Sequence, residues 1–429
     1  MRIVRIYHAG RDSAHRGRDR ALAAAGAKLT LVVPERWTDD NAGTPLVEAS
    51  FDIIERAVER PGDVNMHRFV DPGALAASVM AADPDLVDLH EEPFSAVTHQ
   101  LLGVLPRGLA VVGYSAQNLD KRYPPPFTGW ERTAFARMTG MYPCSRQAAS
   151  VLRGRGYRGE LRVLPLGFDP AVFRPGTQDH GAAMFTLTLA GRMVPEKGVR
   201  DAIEVLAQVR RQRDATLVLA GDGPELGYVD RYAAEAEVTG AVQVRPWCDE
   251  HTLADLYRDT HVVLVPSTAT RRWVEQFGRT VVEAQASGAA VAAYASGTIP
   301  EVASGAAALS AEGDALGLGR ATARLASEPA LWNDLRQRGF AAAAPKAWDH
   351  VARGQLELYA AALESEPRPP VRASRATRSA ARHEFGMPAR TGDHQTRPFA
   401  LPVLRDHPRI GRLGGSAVDL LTGRRSTAL

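Results

Sequence analysis

The chain is poor in the residues that mark several common protein classes. Among 429 residues there are two cysteines, Cys144 and Cys248. They lie far apart, with no CxxC pattern and no histidine at ligand spacing, which argues against a disulfide framework or a zinc site and for reduced cytosolic thiols. No apolar run approaches the roughly 18 residues of a membrane-spanning helix, and the run after Met1 is too short for a signal peptide. A soluble, cytoplasmic protein is expected. No GxGxxG fingerprint follows a strand. The nearest stretch, Gly221 to Gly227, has the wrong last spacing and contains Pro224, which weakens any nicotinamide-dependent reading. Lysine is also scarce, with Lys28, Lys121, Lys197 and Lys346 the only four, so arginine carries nearly all of the positive charge.

What is present is the composition of a folded protein, 45% hydrophobic and 24% charged, in a chain long enough for two domains. The net charge of +3 is unevenly spread. From Glu366 onward twelve arginines face five acidic residues, a net of +7, so the remainder carries about −4. The basic balance belongs to the tail, which removes the case for a nucleic-acid-binding core.

Short buried strands alternate with helical segments twice along the chain, the mark of parallel, doubly wound sheets. In the first half, strands are read at Arg2–Tyr7, Leu29–Val33, Leu86–Leu89, Leu109–Tyr114, Met141–Cys144 and Arg162–Leu166. Residues 35 to 70 give no clear pattern. Gly167 to Gly181 has linker composition. The second half places strands at Phe185–Ala190, Thr216–Ala220, Val242–Arg245, His261–Val265 and Ala290–Ala295. The expected organisation is α/β, with a Rossmann-like domain over 1–170, a second over 181–345, a helix over 346–365 and an Arg/Pro-rich tail over 366–429. That tail holds seven of the 28 prolines and little apolar surface to offset ordering entropy, so disorder is expected.

Two stretches carry chemistry. Gly191, Arg192 and Lys197 to Gly198 lie between a strand and a helix start, where backbone N–H groups and the helix dipole favour a phosphate and two cations would add to it. A solvated surface turn is the plain alternative. Further on, Glu275 and Glu283 are separated by seven residues, with Glu301 at a later helix start. Strand ends of this kind line the ligand crevice of an open α/β sheet. Glu283 with Thr280 also forms T-x-x-E, a pattern that could serve only as a helix capping box. Glu275 could be an exposed loop charge, and His90 a satisfied histidine at a strand end. Asp83-Pro84-Asp85 mimics a D-x-D metal motif, but it precedes its strand and so falls at the end away from the crevice.

Taken in order, G-R-M-V-P-E-K-G, A-G-D-G-P-E, L-Y-R-D-T-H-V-V-L-V-P-S, E-Q-F-G-R-T-V-V-E-A-Q-A-S-G and S-G-T-I-P-E resemble the family 4 retaining glycosyltransferases. The likeness spans about Phe185 to Val302. The first half follows more loosely through H-E-E-P-F-S and V-L-P-L-G-F-D-P-A-V-F-R-P. Where the family has Gly-Gly and E-G-F-G, this chain has Ala9-Gly10 and Glu275-Gln276-Phe277-Gly278.

The resemblance implies a GT-B fold, two Rossmann-like domains facing across a cleft, and transfer of a sugar from a nucleotide-diphosphate sugar to a hydroxyl acceptor. It implies that Arg192 and Lys197 bind the donor diphosphate, that Glu283 accepts from the ribose and that Glu275 contacts the transferred sugar. The backbone of Phe277, Gly278 and Arg279 would hold phosphate oxygens, His90 would touch the donor sugar from the first domain, and Gly10 would let the first loop approach the phosphates. It also implies that no metal or other cofactor is needed, and that the helix of 346–365 packs back on the first domain. Two alternatives stay open: a GT-B nucleotide-sugar epimerase, and a non-catalytic sugar-nucleotide-binding protein acting in an assembly through its Arg-rich tail. The tail could also touch anionic membrane surfaces. The base, donor sugar, acceptor, linkage and oligomeric state are not legible.

Overall fold

A computed structural model describes residues 1–37, 46–176, 178–270 and 273–387. The first sheet uses β1 (Arg2–Ile6), β2 (Lys28–Pro34) and β3 (Asp52–Arg56). After a small antiparallel pair, β4 (Val58–Glu59) and β5 (Arg68–Phe69), it continues with β6 (Leu86–Leu89), β7 (Ala110–Ser115), β8 (Gly140–Pro143) and β9 (Glu160–Leu161). Its order is β3-β2-β1-β6-β7-β8-β9, and every pairing is parallel. The second sheet contains β10 (Phe185–Ala190), β11 (Ala215–Ala220), β12 (Val242–Arg245), β13 (Val262–Val265), β14 (Ala290–Tyr294) and β15 (Ala308–Ser310), in the order β12-β11-β10-β13-β14-β15, again all parallel.

Both sheets therefore have the doubly wound order in which the chain starts in the middle, grows to one edge, and returns to grow to the other. The reversal leaves a crevice at the carboxyl ends of the two strands flanking the start. In the first domain those strands are β1 and β6, which deliver Tyr7–His8 and His90–Glu91. In the second they are β10 and β13, which deliver Gly191–Arg192 and Pro266–Ser267. Their apolar runs are covered on both faces, as parallel strands require. Leu187, Leu217, Leu264 and Ala292 fall in one buried cluster, and Val263, Val265, Val291 and Ala293 in another.

The chain crosses between the domains twice, side by side. Phe168 N–H donates to Lys346 O at 3.3 Å and Trp348 N–H to Phe168 O at 3.0 Å. The helix Trp348–Glu364 then lies on the first sheet, where Leu358, Tyr359 and Ala362 share a buried cluster with Val112 and Tyr142.

Two expectations need correction. The strand read at Arg162–Leu166 is Glu160–Leu161, after which single bonds from Arg162 and Leu164 to Met141 O and Pro143 O follow the edge of β8. Pro165 has no N–H to continue the ladder. The tail is not disordered from Glu366. Residues 375–384 form a helix capped by Ser374, and Val371 N–H donates to Gly156 O at 3.1 Å. Docking relies on small residues and ion pairs, which apolar content does not reveal. A Cβ on Gly156 would lie 2.1 Å from Val371 O, Ala381 is buried, and Arg378 pairs with Asp120 at 2.8 Å. The remainder of the expected disordered tail, 388–429, lies outside the described residues. Asp83 and Asp85 are both ion-paired with Arg2 at the start of β1, the end of the sheet away from the crevice where their place before β6 puts them.

Candidate active site at the facing switch points

His90 is the first residue after β6, and its ring is fixed on every side. It stacks on Tyr114 at 4.0 Å between ring centroids and meets Tyr7 edge-on at 4.1 Å. Its Nδ1 lies 3.1 Å from Arg5 Nη2 and 2.8 Å from the Tyr142 hydroxyl. Tyr142 donates its proton to Asp88, at 2.7 Å. Arg5 can only donate, so Nδ1 is the ring's lone-pair atom and Nε2 carries the proton. Burial, reinforced by the nearby Arg5 charge, holds the His90 pKa well below the ordinary imidazole value. The ring is thus a neutral N–H donor on the wall of the cavity it lines.

Behind His90 lies a buried charge network. Arg5 sits in the middle of β1 and Asp88 in β6. Their pair at 2.7 Å is joined by Asp19, which also contacts Arg5. From the C-terminal helix, the Tyr359 hydroxyl donates to Asp88 at 2.6 Å and Gln355 at 3.2 Å. Burial opposes a charged Arg5, but Asp19 and Asp88 outweigh it and keep the guanidinium well above its ordinary value. Removing one member of such a network leaves an uncompensated buried charge, at a cost of about 3–5 kcal/mol. Helix Trp348–Glu364 is thereby wired to the histidine as well as packed on the sheet.

In the second domain the loop after β10 presents Arg192, whose guanidinium makes no hydrogen bond or ion pair with any described residue. Gly198, in the left-handed region at φ +69°, turns that loop into the helix Val199–Arg210. A Cβ there would also meet Pro266 O at 2.4 Å. Lys197 Nζ lies 2.6 Å from Glu275 Oε2 and over the Trp273 ring. The Ser267 hydroxyl is 3.4 Å from the same carboxylate oxygen. Gly278, at φ +81°, is the N-cap of the helix Arg279–Ala286. That start places Glu283 one turn into the helix, where it pairs with Arg279 at 2.9 Å. Because the cap is Gly278 and not Thr280, the T-x-x-E sequence does not form a capping box.

The two halves meet through the backbone of this glutamate segment. Asn118 Nδ2, from the loop after β7, donates to Glu275 O at 2.8 Å. Thr298 donates to the same carbonyl from its N–H and hydroxyl, each at 3.2 Å. Arg146 N–H donates to Glu301 Oε1 at 2.7 Å. Between the domains lies a cavity of about 410 Å³, within the range of small-molecule sites. Arg5, Tyr7, His8, His90 and Glu91 line its first-domain wall, and Gln276 and Arg279 its second-domain side.

The structure thus brings His90 and Arg279 to one cavity. Lys197 and Glu275 pair beside Ser267, at the strand end next to that space. Arg192, Lys197, Glu275 and Glu283 do not line the cavity itself. Phe277 is buried in the second core, leaving its backbone as the part that could serve a ligand. Gly10 lies under its loop, where a Cβ would come within 3.2 Å of Leu31 and Tyr7 and 3.3 Å of Val33. Its small size is explained there by packing on β2. Sequence reasoning missed Arg5, Asp88, Tyr142, Asn118 and Tyr359. One signal was available, since Arg5 and Asp88 are charges with apolar neighbours on both sides within buried strands.

Two Rossmann-like domains with facing switch points define the GT-B class, and comparison with solved structures agrees. Sucrose-phosphate synthase from Thermosynechococcus elongatus superposes with a TM-score of 0.65 at 17% identity, over 84% of this chain and 98% of that one. Anabaena HepE in complex with UDP and glucose gives 0.62 at 17% identity, over 84% and 99%. Residues 183–341 match the family described as glycosyl transferases group 1. Among curated relatives, D-inositol 3-phosphate glycosyltransferase 1 of Catenulispora acidiphila is 31% identical over 46% of this chain and 51% of its own length. The 2-deoxystreptamine glucosyltransferase of Streptomyces kanamyceticus is 28% identical over 49% and 57%. The matched region spans about half the length of these relatives.

Proposed function

We propose that this protein is a retaining glycosyltransferase that moves a sugar from a nucleoside-diphosphate sugar to a hydroxyl acceptor. The observation that carries the reading is the arrangement at the second switch point. Arg192, without a side-chain partner among the described residues, the Lys197–Glu275 pair at 2.6 Å and the Arg279–Glu283 pair at 2.9 Å stand at strand and helix ends of the second domain, where Arg279 lines the same cavity as His90. The group 1 family match and the UDP in the HepE complex support the donor class.

In this reading Arg192 and Lys197 take the diphosphate, with the N–H groups at the start of helix Arg279–Ala286. These cations meet the leaving charge in place of a metal. Glu283 accepts from the ribose, and Glu275 from the hydroxyls of the transferred sugar. Lys197 then bridges diphosphate and Glu275, tying the leaving group to the carboxylate that favours a positively charged sugar. His90 donates Nε2–H to the sugar from the other wall. The bond between the anomeric carbon and the phosphate oxygen breaks, and the acceptor oxygen bonds to the same face. The acceptor proton passes to the departing phosphate. The site works in the cytoplasm, with the basic tail available to an anionic membrane surface.

Substituting Glu275→Ala should abolish transfer while UDP or GDP still binds, read by product chromatography and calorimetry on the same preparation. Undiminished transfer by the variant would sink the reading. Retention of transfer-independent sugar isomerisation, seen by incubating donor without acceptor, would instead favour an epimerase.

A further inference from the structure

Three side chains from separate parts of the first domain converge beside the cavity. His8 follows β1, His67 precedes β5 and Glu91 follows β6. One ligand atom from each lies within 4.8 Å of the others, and among the described residues no other group of three His, Cys, Asp or Glu side chains does so. Glu91 is anchored by the backbone N–H of His8 at 2.9 Å, and its two oxygens lie 2.7 and 2.8 Å from His8 Nδ1. His67 and Glu91 are buried, while His8 and Glu91 line the cavity.

The tautomer of His67 is the informative detail. Its Nδ1 lies 3.0 Å from Asp63 O, which can only accept, so Nδ1 carries the proton. A backbone carbonyl holding the outer nitrogen in this way is the usual arrangement behind a metal-bound imidazole. The Nε2 lone pair then faces Glu91 Oε1 at 3.8 Å. A lone pair and a carboxylate oxygen confronting each other away from water call for a cation between them. Trp37 packs against both imidazoles, at 4.5 and 4.8 Å between centroids, and closes one side.

We propose that His8, His67 and Glu91 form a binding site for one divalent transition-metal ion. Two imidazoles and one carboxylate suit zinc, with ligand bonds of about 2.0–2.2 Å and a fourth position left for water or substrate. That position would open toward the cavity, because two of the three ligands line it. The ion would hold a hydroxyl or phosphate of a ligand against the first domain, apart from the Arg192 and Lys197 loop. The rival is a second proton on His67, which would make the cluster an ion pair only.

The test uses the tag-free full chain, treated with chelator and equilibrated with Zn²⁺ or Co²⁺ alone. One equivalent of metal per chain is expected by elemental analysis, with a visible ligand-field band for cobalt. Both should be lost in His67→Ala and in the less buried variant His8→Asn, with circular dichroism confirming the fold of at least one. No stoichiometric binding by the parent, or equal binding by a folded variant, overturns the proposal. So does an NMR signature of doubly protonated His67 that added metal leaves unchanged. None of these readouts involves nucleotide or transfer, so failure here is distinct from failure of the transferase reading.

Discussion

The two domains hold their candidate site residues in opposite ways. In the first, His90 is the tip of a buried network of Arg5, Asp19, Asp88, Tyr142, Tyr359 and Gln355, and its tautomer is set before any ligand arrives. In the second, Arg192 has no side-chain partner among the described residues, and Lys197 and Arg279 each pair with one glutamate. The network behind His90 finds its charge partners within the protein. The second wall carries cations whose needs are only partly met by protein, as expected of groups that await a polyanionic ligand. The difference teaches that mutations on the two walls should fail differently, one in folding and the other in function.

The largest effect should come from the second wall. Replacing Arg192 or Lys197 with alanine should lower transfer at least ~10²–10³-fold, the range for removing a charge-stabilising donor, with little change in unfolding free energy. A loss of stability as large as the loss of function would erase the contrast. On the first wall, Arg5→Met should destabilise by about 3–5 kcal/mol in denaturant titration, because Asp19 and Asp88 are left buried without their cation. Near-native stability would mean the network is not what fixes His90.

The seam between the walls gives a smaller, sharper test. Asn118→Ala removes one bond to Glu275 O, worth about 0.5–1.5 kcal/mol. Burial pushes the Cys144 thiol up to about 12, and the sulfur faces Gln276 O across the seam. Native Cys144 should therefore resist alkylation, and Asn118→Ala should speed its modification several-fold under mass spectrometry. Equal rates would mean that this bond does not hold the domains together.

The architecture was readable because parallel strands covered on both faces are short and uniformly apolar, as in Val262–Val265 and Leu86–Leu89. The position of the glutamate pair was also readable, since Gly278 and Gly288 bracket its helix. The wiring of His90 was not. Arg5, Asp88, Tyr142 and Tyr359 are scattered along the chain, and only folding shows that they share one cluster. The same holds for His8, His67 and Glu91, whose spacing matches no local ligand motif. Gln276 has gained a definite place. It stands where the related motif has glycine, and of the four residues Glu275 to Gly278 it is the one that lines the cavity. The docked helix at 375–384 was hidden for a different reason, since its contacts use glycine, alanine and ion pairs in place of apolar bulk.

The most direct measurement is thermal unfolding of the intact protein against a panel of nucleoside diphosphates and their sugars. A ligand at 100 times its dissociation constant adds about 2.7 kcal/mol of stability. The account predicts a clear rise in melting temperature for at least one nucleoside diphosphate, lost in the Arg192→Ala and Lys197→Ala variants. No shift with any member of the panel would contradict a nucleotide-sugar site at the second switch point.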